Sequence, residues 1–221
     1  MEIWVEHVCA DTTLAQRLLG RHREKHRRYH TVEHVDAVVH DVLELAEVEE
    51  VEDVAVVVAA ALYHDAVYEP RSSANERASA RLARRDLVAC GWSVERAERA
   101  AEMIEGTDRH LGPPDTGTAV LYDADLAVLS SEPVRYARYV DDVRAEYRHV
   151  GDGAWVTGRC EVLSGFLERE RIYATDTAQR RWERDARSNL VAEIEGLRGT
   201  TGSGADTGSR STGPASEGAT D

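Results

Sequence analysis

The run VAVVVAAALY, residues 54 to 63, is apolar on every side. An amphipathic helix needs only one apolar stripe; a helix apolar all round must be enclosed by other elements. A valine-rich run can also be a strand. This one belongs to a segment from Asp53 to Tyr68 that is too long and too alanine-rich for that. It predicts a central buried helix around which the rest of the chain folds.

The flanking sequence supplies the enclosure. Thr13 to Arg28 reads as a polar helix with Leu14, Leu18 and Leu19 on one face. In Val32 to Val48, Val35, Val38, Val39, Val42, Leu43 and Ala46 recur with a period near 3.6. Ala74 to Cys90 is closed by Gly91, and Ser93 can cap a helix to Glu105 that Gly106 ends. Thr118 to Leu129, a long helix opened by Pro133 and running to His149, Ala154 to Arg169, and Thr177 to Leu197 complete the set. No alternating strand pattern with hairpin signals appears. The expectation is one all-α domain of about eight or nine helices over residues 1–198. Residues 199–221 are Gly/Ser/Thr-rich with almost no apolar side chains, and are expected to form a disordered tail.

Composition narrows the function. The 221 residues carry a net charge of -14, which disfavours binding to a nucleic acid polymer, because phosphate neutralisation supplies that affinity. No apolar run is long enough to cross a bilayer, and the first residues lack the pattern of a signal peptide. The three cysteines are widely spaced without CxxC, which fits a reducing cytoplasm and argues against a disulfide or zinc-cysteine framework. Lys25 is the only lysine, a bias of genome or host and not of function. No Gly-rich phosphate loop or dinucleotide fingerprint is present, so kinase, ATPase and dehydrogenase readings lack support. Monomer and homodimer both remain open.

The dipeptide His-Asp occurs twice. His40-Asp41 sits on an ordinary amphipathic helix with Glu44 and Glu47 following, and a solvated face explains it. His64-Asp65 ends the most buried helix, where a His and an Asp are costly unless paired or ligating a metal. His34, on the preceding helix, is the natural third ligand. A fourth should be a carboxylate from a later helix, and LYDADLAVL offers Asp125 as first choice and Asp123 as second. The two point about 200° apart, so only one should ligate. HTVEH, residues 30 to 34, also has the form of a metalloprotease site, with His30 and His34 as joint ligands and Glu33 as base. That reading leaves His64-Asp65 unexplained.

The order His34, His64-Asp65, Asp125 resembles the H…HD…D signature of the HD-domain metal-dependent phosphohydrolases. The blocks YHTVEHVDAV, ALYHDAVYEP, NERASA, DADLAVL, VRAEY and ARSNLVAE look like those of a bacterial subgroup described only as predicted HD phosphohydrolases. The resemblance covers roughly residues 10 to 195. It implies an all-helical HD fold with His34, His64, Asp65 and Asp125 on one divalent ion, and hydrolysis of a nucleotide or other small phosphoester by a metal-activated water. Two His and two Asp ligands suit Mn, Fe, Co, Ni or Zn, with Mg able to assist at the substrate. Asp65 is a catalytic candidate through the metal. Glu69, one turn later if the helix continues, is the candidate general acid/base, although Pro70 disfavours the helical region there. His30, Arg27, Arg109, His110 and Tyr68 are candidates to touch substrate. A noncatalytic HD sensor that binds metal and nucleotide is the alternative.

Overall fold

The structure, a computed structural model, describes residues 2–202, with side chains to residue 199. Among them there is no strand, and the chain is all-α. Ten α-helices and one short 3-10 turn follow in order: α1 Glu2–His7, α2 Thr12–His22, α3 Val32–Ala46, α4 Val54–Tyr63 and α5 Asn75–Ala89. After these come α6 Val94–Gly106, α7 Thr116–Leu126, the 3-10 turn Ala127–Ser130, α8 Pro133–Glu146, α9 Asp152–Glu168 and α10 Asp176–Gly202. No described helix is long and apolar enough to cross a membrane. Most of the expected disordered tail lies outside the described residues; α10 runs past Leu197 to Gly202.

The apolar run is the centre, as its pattern requires. Val58, Ala59, Ala60, Ala61 and Tyr63 are fully buried, and α4 packs against α1, α3, α5, α6 and α7. Asp53 caps its first turn through Val56 N and holds Arg96 of α6 with both carboxylate oxygens. The α7 helix is buried almost throughout. It packs on both α3 and α4, so three buried helices meet at one end.

Two helix ends differ from expectation, each for a visible reason. α4 stops at Tyr63 and not at Tyr68, because the buried Arg27 guanidinium takes the carbonyls of Asp65 and Ala66 (2.8 and 3.4 Å). α2 stops at His22 and not at Arg28. The amides of Arg28, Tyr29 and His30 turn instead to one oxygen of Glu146 on α8, at 2.6, 2.9 and 3.2 Å.

The cysteine expectation is overturned. Cys9 and Cys90 form a disulfide that ties the segment after α1 to the end of α5, leaving Cys160 free. Their separation in sequence hid the pairing. Arg187 and Asn189 serve the fold: Arg187 binds the carbonyls of Leu167, Arg169 and Glu170, and Asn189 those of Leu129 and Ser131.

Candidate metal centre

Where α3, α4 and α7 meet, four polar side chains converge. His34 is on the first turn of α3, His64 caps α4, Asp65 follows it, and Asp125 lies near the end of α7. His34 Nε2 and His64 Nε2 are 3.1 Å apart. Asp65 Oδ2 lies 3.4 Å from the first and 3.1 Å from the second. Asp125 Oδ1 lies 3.2 and 3.5 Å from the same two nitrogens. His34, His64 and Asp125 form a group that could hold a metal ion. The histidines are buried and the two carboxylates keep a narrow exposure of about 15%.

The proton positions state what the group requires. His64 Nδ1 lies 2.7 Å from the Ala61 carbonyl, which can only accept, so Nδ1 carries the proton and Nε2 presents a lone pair. That lone pair faces another imidazole nitrogen and two carboxylate oxygens. When both imidazoles are neutral, this is a set of acceptors that could hold a cation at its middle. The ionisation of the residues shows how strongly imidazoles and carboxylates act on one another here. Burial works to lower the His34 and His64 pKa, yet the carboxylates of Asp65 and Asp125 outweigh it and raise both. Burial works to raise Asp65 and Asp125, and the facing histidines, His64 foremost, hold both well below the usual carboxylate range. Two imidazoles and two carboxylates at one point pair with one another here, and three of them, His34, His64 and Asp125, could also hold a metal ion.

The pair DAD separates cleanly. Asp123 points the other way and accepts the amides of Ala174 and Thr175, both at 2.7 Å, fixing the turn into α10. Asp125 Oδ2 accepts from His110 Nε2 at 2.8 Å. His110 therefore orients Asp125 from behind. Its backbone is in the left-handed region, φ 49°, and Arg169 binds the carbonyls of Arg109 and His110 to hold that turn.

The remaining candidates fall elsewhere. Arg27 is buried and spends its guanidinium on Glu24 and on the carbonyls of His30, Asp65 and Ala66, so it braces the centre and has no donor left for substrate. Arg109 is an exposed side chain beside Asp108 and faces solvent. Glu69 is exposed and receives the Arg71 amide. With α4 ended at Tyr63, the helical register that would align it with Asp65 does not exist. Glu69 lines a separate surface cleft with His26, Arg71 and Arg148. His30 gives its Nδ1 to Glu146 at 2.7 Å, so it does not join His34 as a ligand, and the HTVEH protease arrangement is not formed. Tyr68 donates its hydroxyl to the same carboxylate at 2.8 Å and stacks on the His30 ring at 4.2 Å.

Glu146, not singled out in sequence, is thus the anchor of the segment before α3. It accepts three amides, His30 and Tyr68. Burial alone would raise its pKa, but the His30 contact and these donors bring it down to about 2. Beside the centre opens a cleft of about 380 Å³, lined in part by His34, Asp125, Arg28, Arg135, Asp41 and Trp182. His40 and Glu44 are exposed as expected, and Asp41, partly buried and grouped with them, also borders the cleft. No family model, curated protein or solved structure matches this chain.

Proposed function

We propose that the protein is a metal-dependent phosphohydrolase of the HD type, acting on a nucleotide or another small phosphoester. The observation that carries this reading is the convergence of His34, His64, Asp65 and Asp125, two of which, His34 and Asp125, line a cleft that also presents Arg28 and Arg135. Neither guanidinium has a hydrogen bond or ion pair among the described residues. Free cations beside a buried acceptor cluster suit a phosphate, which the acidic surface otherwise repels.

The four side chains would hold one divalent first-row ion, such as Mn, Fe, Co, Ni or Zn, with Mg assisting at the substrate. Such an ion supplies a lowered water pKa and polarisation of the phosphoryl group. The protein's own groups do the rest. His110 fixes Asp125, and the Ala61 carbonyl fixes the His64 tautomer. Arg28 and Arg135 draw the phosphate into the cleft and offset its charge. The small phosphate is the partner in this reading. The setting is proposed to be cytoplasmic, where nucleotide pools lie.

A second reading, a noncatalytic sensor of metal and nucleotide, is favoured by one observation: Glu69, the proton donor expected from the sequence, is turned away from the centre. Hydrolysis separates the two. Purified protein given Mn²⁺ or Ni²⁺ should release phosphate or nitrophenolate from nucleotides, p-nitrophenyl phosphate or its diester, and His64→Ala should abolish this. Binding of nucleotide without turnover in any metal would establish the sensor.

A further inference from the structure

Between α1, α2, α3 and the last turn of α4 lies a smaller cavity, of about 70 Å³. Leu18, Val35, Val39 and Leu62 give it an apolar wall. Its polar lining is Trp4, His22 and the exposed Asp36. Trp4 and His22 are buried, at 3% and 2% exposure. Trp4 Nε1 and His22 Nδ1 have no protein partner, alone among the buried side-chain nitrogens and oxygens of the described residues.

The two atoms need opposite partners. His22 Nε2 lies 3.2 Å from the Leu62 carbonyl, which can only accept, so Nε2 carries the ring proton. Burial above all, aided by the charges of Arg27 and His64, lowers the His22 pKa to about 4, against the weaker pull of Asp65 and the Leu62 contact. The ring is neutral at pH 7, and Nδ1 is an acceptor. The Trp4 indole can only donate. A buried donor and a buried acceptor each cost free energy without a partner, and the protein supplies none. The partner therefore stands in the cavity that both residues border. It has to be neutral, accept from an N–H and donate to a ring nitrogen. Water does both, and size selects it. At about 30 Å³ each the cavity has room for about two molecules, whereas a cavity that takes benzene has about 150 Å³.

We propose that ordered water in this cavity joins the Trp4 indole to His22, and that His22, fixed in one tautomer by it, braces the end of α4 that presents His64. The contacts run from Trp4 through water to Nδ1, and from Nε2 to the Leu62 carbonyl, two residues before His64. The His64 amide closes on Ala60 and its Nδ1 on Ala61, so Leu62 belongs to the same turn. Without the water the ring proton is free to move to Nδ1. Nε2 then sets a lone pair against the Leu62 carbonyl, and the brace is lost. His22 is thus a positioning residue that acts on His64 through the helix. This holds whether or not the centre hydrolyses a phosphoester.

Heteronuclear NMR of the full chain, metal-free at pH 7, tests the water. The Trp4 indole proton, identified by its loss in Trp4→Phe, should contact long-lived water. The His22 ring should show a protonated Nε2 and a hydrogen-bonded lone pair on Nδ1, and Trp4→Phe should move the Nδ1 resonance. No water contact at Trp4, or an Nδ1 resonance unmoved in Trp4→Phe, overturns the proposal. Amide exchange tests the brace. His22→Phe keeps a ring and loses the donor, and should raise exchange at His64 and Ala66 about tenfold. His22→Gln, whose amide can donate to Leu62, should restore most of that protection. Mn²⁺ affinity should fall about tenfold in His22→Phe and recover in His22→Gln. Unchanged exchange, a loss that His22→Gln does not lessen, or Mn²⁺ bound equally by wild type and His22→Phe overturns the brace. A wild type that takes up no Mn²⁺ sinks the metal centre instead, and the water contact and the exchange then decide this inference.

Discussion

Glu146→Gln is the most revealing substitution in the scaffold around the centre. The wild-type carboxylate has no exposed surface and gathers five donors: three consecutive amides, His30 Nδ1 and the Tyr68 hydroxyl. Its pKa falls from the ordinary 4.5 to about 2. Displacement of that size is worth about 3 kcal/mol of folding stability at neutral pH. The folded-state pKa is lowered, so the contribution is complete above pH 4.5 and is lost as pH falls toward about 2. About half should survive at pH 3. Glutamine keeps one accepting oxygen for the amides but removes the charge and turns an NH₂ toward His30 and Tyr68. Urea unfolding should therefore show a loss of about 2–3 kcal/mol at pH 7, and a clearly smaller gap between variant and wild type at pH 3. A gap below about 0.5 kcal/mol, or one that does not change with pH, would refute the role given to Glu146.

Three further outcomes follow from the same geometry. Arg27→Met leaves the carbonyls of His30, Asp65 and Ala66 without their donor, and should cost about 3 kcal/mol; a melting temperature within a degree of wild type would contradict its bracing role. Gly106→Ala sets a Cβ onto the Tyr122 hydroxyl, behind the ring that meets His110, and should cost about 1–3 kcal/mol in a thermal melt. Acid should compete with metal: the carboxylates keep His34 and His64 protonated above the usual imidazole range in the metal-free protein. Calorimetry should find proton release on metal uptake and a higher affinity at pH 8 than at pH 6, and a pH-independent affinity would count against those two ligands.

Much of the centre was legible because its residues are out of place. A His and an Asp ending an apolar helix, and a carboxylate inside LYDADLAVL, are expensive without a partner, and that expense marked His64, Asp65 and Asp125. Helical phase left Asp123 and Asp125 as alternatives; only the turn into α10, whose amides claim Asp123, separates them. The central helix was visible because no solvated face exists on it. Its end was not, since Arg27 reaches it from distant sequence and takes the last carbonyls, and the role expected of Glu69 fell with that end. Arg27 itself stood among the candidates to touch substrate, because burial of an arginine is set by tertiary carbonyls that no local pattern shows. Glu146 was equally silent: within VRAEY it looks like a solvated helix residue, and only the paired burial of Val143 and Glu146 on one face of α8 gives it away.

The central claim is that His34, His64, Asp65 and Asp125 hold one metal ion. Elemental mass spectrometry of the purified protein, wild type beside Asp65→Ala, tests it most directly. The account predicts close to one transition-metal ion per wild-type chain and its loss in the variant. No metal in either protein, even after incubation with Mn²⁺ or Ni²⁺, would contradict it and leave a helical bundle with a buried polar cluster.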